Sequence, residues 1–195
     1  MDERTATDAP PVTEAGGEPR RLPEEWFARS ALDVAPDLIG KVFVVGPCAG
    51  RIVEVEAYTQ DDPASHSFRG RTKRNAVMFG PAGRLYVYFT YGMHHCLNIV
   101  TGDDGIGEAV LIRAVTPVEG IETMRTRRPG RPDRQLVDGP GKLAQAFDVD
   151  LRLDGSAVTV LDDGLAQAGA VRLTTRIGIT RGADLLRRWV VSPDS

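Results

Sequence analysis

Between Val42 and Val115, apolar and polar positions alternate with a period of two, which predicts β-strands rather than helices. Runs rich in β-branched and aromatic residues place seven strands at Val42–Val45, Arg51–Tyr58, Arg84–Tyr91, His95–Thr101, Ala109–Val115, Val158–Leu161 and Val171–Ile177. A glycine- and proline-containing stretch, 46–50, separates the first two runs and is typical of a hairpin turn.

Helical signals are fewer and lie around these strands. Pro23 followed by two glutamates suits a helix start, and the run Ala31–Ile39 ends at Gly40. Two later segments, Glu119–Arg127 and Lys142–Phe147, are also predicted helices. Because the strands follow one another instead of alternating with long helices, we predict an α+β fold: a single domain with a curved antiparallel sheet and peripheral helices.

The first 20 residues differ from the rest of the chain. They consist mainly of Pro, Gly, Ala, Thr and Glu, so we predict a disordered acidic N-terminal tail over 1–20 and one folded domain over 21–195. The N-terminus lacks the basic and apolar regions of a secretory signal, and no apolar run reaches the ~18 residues of a membrane span. Two cysteines are too few for a disulfide framework, so we expect a reducing cytoplasm.

The formal net charge of −3 hides two basic segments. Residues 64–102 contain no Asp or Glu, yet carry Arg69, Arg71, Lys73, Arg74 and Arg84. The segment 125–134 adds five arginines against a single acid. Such patches are typical of phosphate contact, although a solvated arginine face would have the same composition. Charge therefore permits a nucleic-acid partner without establishing one.

Two carboxylates share one face of a predicted strand. Strict alternation along Arg51–Tyr58 places Ile52, Glu54, Glu56 and Tyr58 on one side. A solvent-exposed polar face is the common outcome of such a pattern. The alternative is that one glutamate points into a cleft as a general base, which would require burial or an arginine partner to tune it.

Aromatic residues are concentrated in the next predicted strand. Tyr86, Tyr88 and Thr90 share one face, and Tyr91 and Met93 fall at a glycine-containing turn where large side chains would protrude. Aromatic residues in strands often serve only the core. Here they lie in the acid-free basic segment, which also favours a surface that stacks bases and inserts an apolar wedge into DNA.

Metal and nucleotide motifs are absent from the sequence. The segment ending in Lys142 has Leu136 where a phosphate-binding loop needs its first glycine, although Lys142 near a helix start could hold one DNA phosphate. The three histidines and two cysteines have no zinc-site spacing. We therefore expect no metal and no cofactor.

Several long motifs resemble the alkyladenine (3-methyladenine) DNA glycosylase family. They occur in order and the likeness covers roughly residues 22–190. The segments that carry it include Arg51–Tyr58, Gly83–Met93, Leu97–Ile99, Leu111–Ala114, Pro117–Arg125 and Gly139–Leu143, together with His66-Ser67 and Arg74-Asn75.

The resemblance implies a role for each matching residue. Glu56 corresponds to the base that deprotonates the attacking water, and Arg113 helps to hold that water. Tyr58, His66 and Tyr88 correspond to the pocket around the flipped base, and Asn98 helps to exclude guanine's exocyclic amino group. Tyr91 fills the gap in the duplex. With the turn and basic segment considered above, we add Met93 as a second intercalating residue, and Arg71, Lys73, Arg74 and Lys142 as contacts to the DNA backbone.

We therefore expect a monofunctional glycosylase of base excision repair that acts, as a monomer, on double-stranded DNA containing a damaged purine. No membrane is involved, and heavy arginine use suggests a bacterial source and work on the nucleoid. The resemblance places none of the lysines (Lys41, Lys73 and Lys142) at a catalytic position, so we predict hydrolysis without strand cleavage.

Two other functions fit part of the pattern. A non-catalytic damage-binding module would keep Tyr88, Tyr91 and the arginines but would not need Glu56 and Arg113 together. A hydrolase of small nucleosides could use Glu54 and Glu56 as a carboxylate pair, since same-face neighbours on a strand are ~7 Å apart. That second alternative does not explain the basic segments.

Overall fold

The strand that carries both glutamates lies inside the sheet, with partners on both edges. The computed structural model describes residues 18–90, 92–165 and 169–192. In it, β3 (Cys48–Tyr58) pairs along one edge with β6 (Ala109–Glu119). Its other edge is shared, because β2 (Val42–Val45) pairs with its first residues and β9 (Leu186–Val191) pairs further along, at Glu54–Glu56.

The remaining strands extend this sheet in both directions. They are β1 (Arg20–Arg21), β4 (Leu85–Thr90), β5 (His94–Val100), β7 (Thr159–Asp162) and β8 (Val171–Thr175). Within the described ranges nine strands form one sheet in the order β1-β7-β2-β3-β6-β5-β4, with β9 added beside β3 and β8 beside β9. Every pairing recorded between these strands is antiparallel, which confirms the predicted α+β class.

Four short α-helices in the described parts of the chain accompany the sheet. They are α1 (Glu24–Phe27), α2 (Ala31–Leu38), α3 (Ile121–Arg127) and α4 (Pro140–Phe147), with single 3-10 turns at Ala76–Phe79, Asp133–Gln135 and Leu151–Leu153. The buried positions of α2 recur every three or four residues, so one stripe of the helix packs on β3. None of the described helices has the length and apolar character needed to cross a membrane.

A bulge in β3 changes which residues share a face. Strict alternation predicted Ile52 beside Glu54 and Glu56, and that prediction is wrong. Ile52, Val55 and Ala57 all belong to the main hydrophobic core, while the pairing with β6 shifts register on either side of Glu54. The extra residue of a bulge reverses the alternation after Ile52, so the apolar residues on both sides of it reach the same core.

Strand and helix bounds also differ from the predictions at several points. The predicted turn at 46–50 is shorter, because β3 already begins at Cys48, which pairs with Val45. β6 continues past Val115 to Glu119, so α3 begins at Ile121 rather than Glu119. The strand predicted over Val171–Ile177 ends at Thr175, and β1 and β9 were not predicted.

The predicted acidic tail falls largely on residues 1–17, which lie outside the described residues. The described chain begins at Glu18, and Arg20–Arg21 pair with Leu161 and Asp162 of β7. The boundary between tail and domain at residue 20 therefore stays a prediction.

Candidate active site

Glu56 is completely buried in the middle of the sheet, between Leu111 of β6 and Arg188 of β9. Its Oε1 accepts a hydrogen bond of 2.9 Å from the backbone N–H of Ile177, and its Oε2 accepts one of 2.8 Å from the Tyr58 hydroxyl. A buried carboxylate without partners would be strongly destabilising, so these contacts account for its position. The solvent-exposed interpretation of this strand face is therefore wrong for Glu56.

Arg113 lies between the two glutamates. Its Nη1 is 3.2 Å from Glu56 Oε1, and its Nε–H donates a hydrogen bond of 2.7 Å to Glu54 Oε1. Burial alone would lower the pKa of Arg113, but Glu56 and Glu54 together raise it above its usual value. Arg188 also donates to Glu54 Oε1, at 2.7 Å. Glu54 is thus held by two guanidinium groups, and Arg113 is the cation that both carboxylates share.

A small cleft opens beside this cluster, with a cavity volume of about 170 Å³. It brings together the four residues that the family resemblance assigns to the substrate pocket: Tyr58, His66, Tyr88 and Asn98. Its other walls are Ala64, Ser65, Met78, Tyr86, Thr90, Gly178 and Ile179. Tyr58 belongs both to this cleft and to the carboxylate cluster, because it lines the cleft and its hydroxyl donates to Glu56.

Four aromatic rings, those of Tyr58, His66, Tyr86 and Tyr88, line the cleft. The His66 and Tyr88 rings are nearly perpendicular, with centroids 4.6 Å apart, and the Tyr86 and Tyr88 centroids are 5.7 Å apart. His66 Nδ1 lies 2.9 Å from the Tyr86 hydroxyl. Asn98 is buried, and its Nδ2 donates to the Tyr86 carbonyl at 3.1 Å. The cleft therefore offers ring faces together with a few oriented polar groups, as small-molecule sites do.

Burial sets the protonation of these rings. It raises the pKa of Tyr58, an effect that the negative charge of Glu56 strengthens, and it also raises the pKa of Tyr88. Burial raises the pKa of Tyr86 to about 12. For His66, burial and then the nearby Arg74 guanidinium lower the pKa. At neutral pH the three phenols therefore keep their protons, and the imidazole is uncharged.

Buried polar residues fix the loop that carries His66. Asn75 donates from Nδ2 to the carbonyls of His66, at 2.8 Å, and Gly70, at 3.1 Å. On the other side of the loop, the Ser67 hydroxyl donates to the Gly107 carbonyl at 2.6 Å. In the sequence, Asn75 and Ser67 stand out only as part of the family resemblance. Their roles depend on partners up to 40 residues away in the chain.

Three arginines from the C-terminal region complete the site, and sequence reasoning missed them. Besides Arg188, these are Arg176, whose guanidinium lies over the Tyr58 ring at 4.6 Å, and Arg187. Both Arg176 and Arg187 bind the buried carboxylate of Asp62. The only available signal was the density of arginines near the C-terminus, which does not identify their partners.

The predicted DNA-contacting residues lie on two neighbouring surfaces. Tyr91 is outside the described residues, whereas Met93, in the turn between β4 and β5, is 70% exposed. Arg71, Lys73 and Arg74 follow His66 in the same loop, and all three are exposed. Arg74 Nη2 donates to the carbonyl of Phe89 at 3.3 Å. That contact joins this basic loop to the end of β4.

Lys142 and residues of the second basic segment, 125–134, form ion pairs and hydrogen bonds with other parts of the protein. Lys142, in the first turn of α4, forms an ion pair of 2.8 Å with Asp138. In the segment 125–134, Arg125 binds Glu122 and Asp133, and Arg127 donates to the Ala146 carbonyl at 2.9 Å. This segment follows the end of β6 that pairs with Ala49, at the opposite end of β3 from Tyr58. Its charge is thus partly neutralised and lies away from the cleft.

The described residues bring no three histidine, cysteine or acidic side chains close enough to hold a metal ion. The groups that the site brings together are a buried carboxylate, a guanidinium beside it, and neutral aromatic rings that line the cleft. A buried carboxylate beside a ring-lined cleft is suited to act as a general base for a water molecule that reaches it.

Comparison with known proteins points the same way. Residues 25–195 match the family model described as methylpurine-DNA glycosylase (MPG). A protein of Carboxydothermus hydrogenoformans, named as a candidate 3-methyladenine DNA glycosylase, is 49% identical over 179 residues, covering 86% of this chain and 93% of its own. Proteins of the same name from Burkholderia lata (49% identical; 87% of each chain) and Methanoculleus marisnigri (48% identical; 86% of this chain, 93% of its own) are similar. The chain therefore belongs to the methylpurine-DNA glycosylase family, as a DNA glycosylase of DNA repair.

Proposed function

We propose that the protein excises alkylated purines such as 3-methyladenine from duplex DNA, by hydrolysing the N-glycosidic bond with a water that Glu56 activates. One observation carries this proposal: the buried Glu56 carboxylate lies directly behind Tyr58, a wall of the cleft, and is paired with Arg113. A base at the back of an aromatic cleft is what hydrolysis of a stacked purine nucleotide requires.

The proposed reaction needs few protein groups. Glu56 takes a proton from water as the water oxygen bonds to C1′ of the sugar. The C1′–N bond breaks and its electron pair leaves with the purine, so the products are a free base and an abasic site. A 3-methylated or 7-methylated purine is positively charged and leaves as a neutral base, without an acid. The negative charge of Glu56 also stabilises the positive charge that develops on the sugar.

The attacking water must reach the Glu56 carboxylate, which is completely buried in the structure. Glu56 Oε2 accepts one hydrogen bond, from Tyr58, and has a second lone pair left. The groups between this oxygen and the cleft are the Tyr58 side chain and the segment that contains Ile177 and Gly178. We infer that one of them shifts when DNA binds, which admits the water from the cleft.

Base recognition is assigned to the ring walls. The flipped purine stacks among Tyr58, His66 and Tyr88, and a neutral His66 spares a cationic base from repulsion. Asn98, held by the Tyr86 carbonyl, disfavours guanine through its exocyclic amino group. These four roles come from the family resemblance, and their common location in one cleft supports them.

Binding to duplex DNA is assigned to the surface beside the cleft. Met93 protrudes where an apolar wedge could replace the flipped base, and Tyr91 is proposed to share this role. Arg71, Lys73 and Arg74 follow the backbone nearby, with Lys142 as a further contact once it is released from Asp138. We propose that the protein acts as a monomer on the bacterial nucleoid.

We also propose that no strand cleavage follows. A lyase step needs an amine that attacks C1′, and two of the three lysines are held in ion pairs. Lys41 forms an ion pair of 2.8 Å with Asp162, and Lys142 is bound to Asp138. Lys73 is exposed on the loop after His66.

The test is single-turnover release of base from duplexes that carry 3-methyladenine, 7-methylguanine, 1,N6-ethenoadenine or hypoxanthine, with the matching free nucleosides as controls. We expect release from duplex DNA only, no strand break before alkali treatment, and no protein–DNA adduct after borohydride. Release from free nucleosides would support the nucleoside-hydrolase alternative. Lesion binding without release from any duplex would support a damage-binding module.

A further inference from the structure

Arg176 lies directly against a wall of the cleft. Its side chain is completely buried, and its guanidinium carbon is 4.6 Å from the centroid of the Tyr58 ring. The same ring lines the cleft, so a fixed positive charge covers part of the ring that the substrate is proposed to contact. Neither the family resemblance nor the mechanism above uses this residue.

Hydrogen bonds hold the guanidinium in this place. Arg176 Nη1 binds Asp62 Oδ2 and the Ala57 carbonyl, the latter at 3.1 Å, while Nη2 lies 3.0 Å from Asp62 Oδ1 and 3.3 Å from the Gly182 carbonyl. Within the described residues, the buried Nε–H has no hydrogen-bond partner. These hydrogen bonds hold the Arg176 guanidinium by its outer nitrogens, and the flat face of the group lies over the Tyr58 ring.

Asp62 neutralises only part of this charge at the ring. Its carboxylate binds the two outer nitrogens of Arg176, at the edge of the guanidinium, whereas the Tyr58 ring lies over the face of that group. Arg187 approaches the same carboxylate at 3.3 Å and also donates to the Thr59 hydroxyl, at 2.5 Å. Because two arginines share this one carboxylate, the group of Asp62, Arg176 and Arg187 carries a net positive charge, while the negative charge of Glu56 lies at the hydroxyl end of the same Tyr58 ring.

A cation on an aromatic ring weakens the ring as a partner for a second cation. The ring's negative face attracts positive charge, and a guanidinium already in contact uses and polarises that face. In a buried site, direct repulsion between two positive charges adds to the effect. Purines methylated at N3 or N7 are cationic, whereas hypoxanthine and 1,N6-ethenoadenine are neutral.

We propose that Arg176, held by Asp62, is a specificity-determining residue of the cleft that lowers its preference for positively charged purines relative to neutral ones. The proposal rests on the proposed function only in taking the cleft as the purine site. It adds that the preference between lesion classes is set from behind Tyr58, by a residue that does not itself touch the base. A purely structural ion pair would instead affect all lesions alike.

Three variants at the Arg176 site and one matched control separate these possibilities. Arg176→Gln removes the cation, and Asp62 keeps Arg187 as a partner, so no carboxylate is left buried alone. The double change Arg176→Gln with Asp62→Asn removes both charges and guards against misfolding from an unpaired group. Arg176→Lys keeps a positive charge at the position and is the conservative rescue. Arg187→Gln is the matched control, because it removes a cation bound to the same carboxylate.

The measurement is the ratio of dissociation constants for duplexes carrying 7-methylguanine and hypoxanthine, with every variant in a Glu56→Gln background so that no turnover is needed. We expect Arg176→Gln and the double variant to shift this ratio about three- to tenfold toward the cationic lesion. Arg176→Lys and Arg187→Gln should stay within about twofold of the parent ratio.

Two results would overturn the proposal. Equal weakening of binding to both duplexes in the Arg176 variants would leave only a structural role. The same shift in Arg187→Gln would assign the effect to the general field of the cluster and not to the contact with Tyr58. Failure of the proposed function would be a different result: the wild-type protein would bind lesions but release no base. The ratios of dissociation constants could still be measured in that case, because they need no turnover.

Discussion

The Tyr58 hydroxyl donates a hydrogen bond of 2.8 Å to Glu56 Oε2, which joins the wall of the cleft to the buried carboxylate behind it. The two residues are next-but-one neighbours on β3 beyond the bulge, so the strand itself sets their spacing. Any shift of Tyr58 on substrate binding therefore changes the hydrogen bond to Glu56, the residue that we propose as the base.

Replacing Tyr58 by Phe tests this link. The ring remains for stacking, but the carboxylate loses a donor, and hydrogen bonds to charged groups contribute about 1.5–3 kcal/mol. We expect the single-turnover rate of base release to fall about 10- to 100-fold, while lesion affinity changes by less than about threefold. An unchanged rate would mean that this hydrogen bond is broken before the chemical step and contributes nothing to it.

Arg113 and Arg188 provide a matched pair for stability. Arg113→Gln leaves the buried Glu56 without its cation and should cost about 3 kcal/mol in the free energy of unfolding, measured in urea. Arg188→Gln leaves Glu54 bound to Arg113 and should cost about 1 kcal/mol. Equal losses in the two variants would contradict the view that Arg113 is the shared counter-charge.

The lowered pKa of His66 predicts a pH dependence of stability. In the unfolded chain His66 has an ordinary pKa near 6.5, so between that value and the lower folded pKa the unfolded state binds more protons. The stability that neutral His66 contributes to the folded state is fully present above about pH 6.5 and is lost as the pH falls below that value. In urea unfolding, wild type should lose more stability than His66→Gln between pH 7.5 and pH 5. Parallel losses would refute a buried neutral imidazole.

Gly107 limits the space behind the His66 loop. A Cβ at this position would lie 2.5 Å from Ser67 Cβ and 2.7 Å from the Phe79 ring, so Gly107→Ala should push the loop that carries His66. Overpacking of this kind costs about 1–3 kcal/mol. We also expect lesion binding to weaken about tenfold. Gly80→Ala is the control, because its Cβ would meet nothing closer than 3.4 Å. Equal effects would show that the loop adapts.

Local patterns were sufficient to predict the parts of the fold that depend on neighbouring residues. The alternation of β4 predicted that Tyr86, Tyr88 and Thr90 share a face, and all three line the cleft. The helix predicted over Ala31–Ile39 from the glycine that follows it is observed at Ala31–Leu38, and the α+β class followed from the order of the strands. Alternation could not decide between Glu54 and Glu56, because both were predicted on the same strand face. Only the family resemblance identified Glu56 as the base.

The features that were missed depend on contacts between distant parts of the chain. Asp62 and Arg176 are 114 residues apart, and nothing in either local sequence indicates the other. β9 was missed because its polar and apolar residues do not alternate along the sequence: two arginines, Arg187 and Arg188, come directly before Trp189, Val190 and Val191. The bulge at Glu54 is likewise a property of the pairing between β3 and β6 and not of β3 alone.

The central claim is that Glu56, and not Glu54, is the base. The most direct test compares Glu56→Gln with Glu54→Gln, two isosteric changes on the same strand and beside the same Arg113. Single-turnover release of 7-methylguanine from duplex DNA should fall at least about 10³-fold in Glu56→Gln, with lesion binding retained, and about tenfold or less in Glu54→Gln. Full release by Glu56→Gln, or a larger loss in Glu54→Gln, would contradict the account.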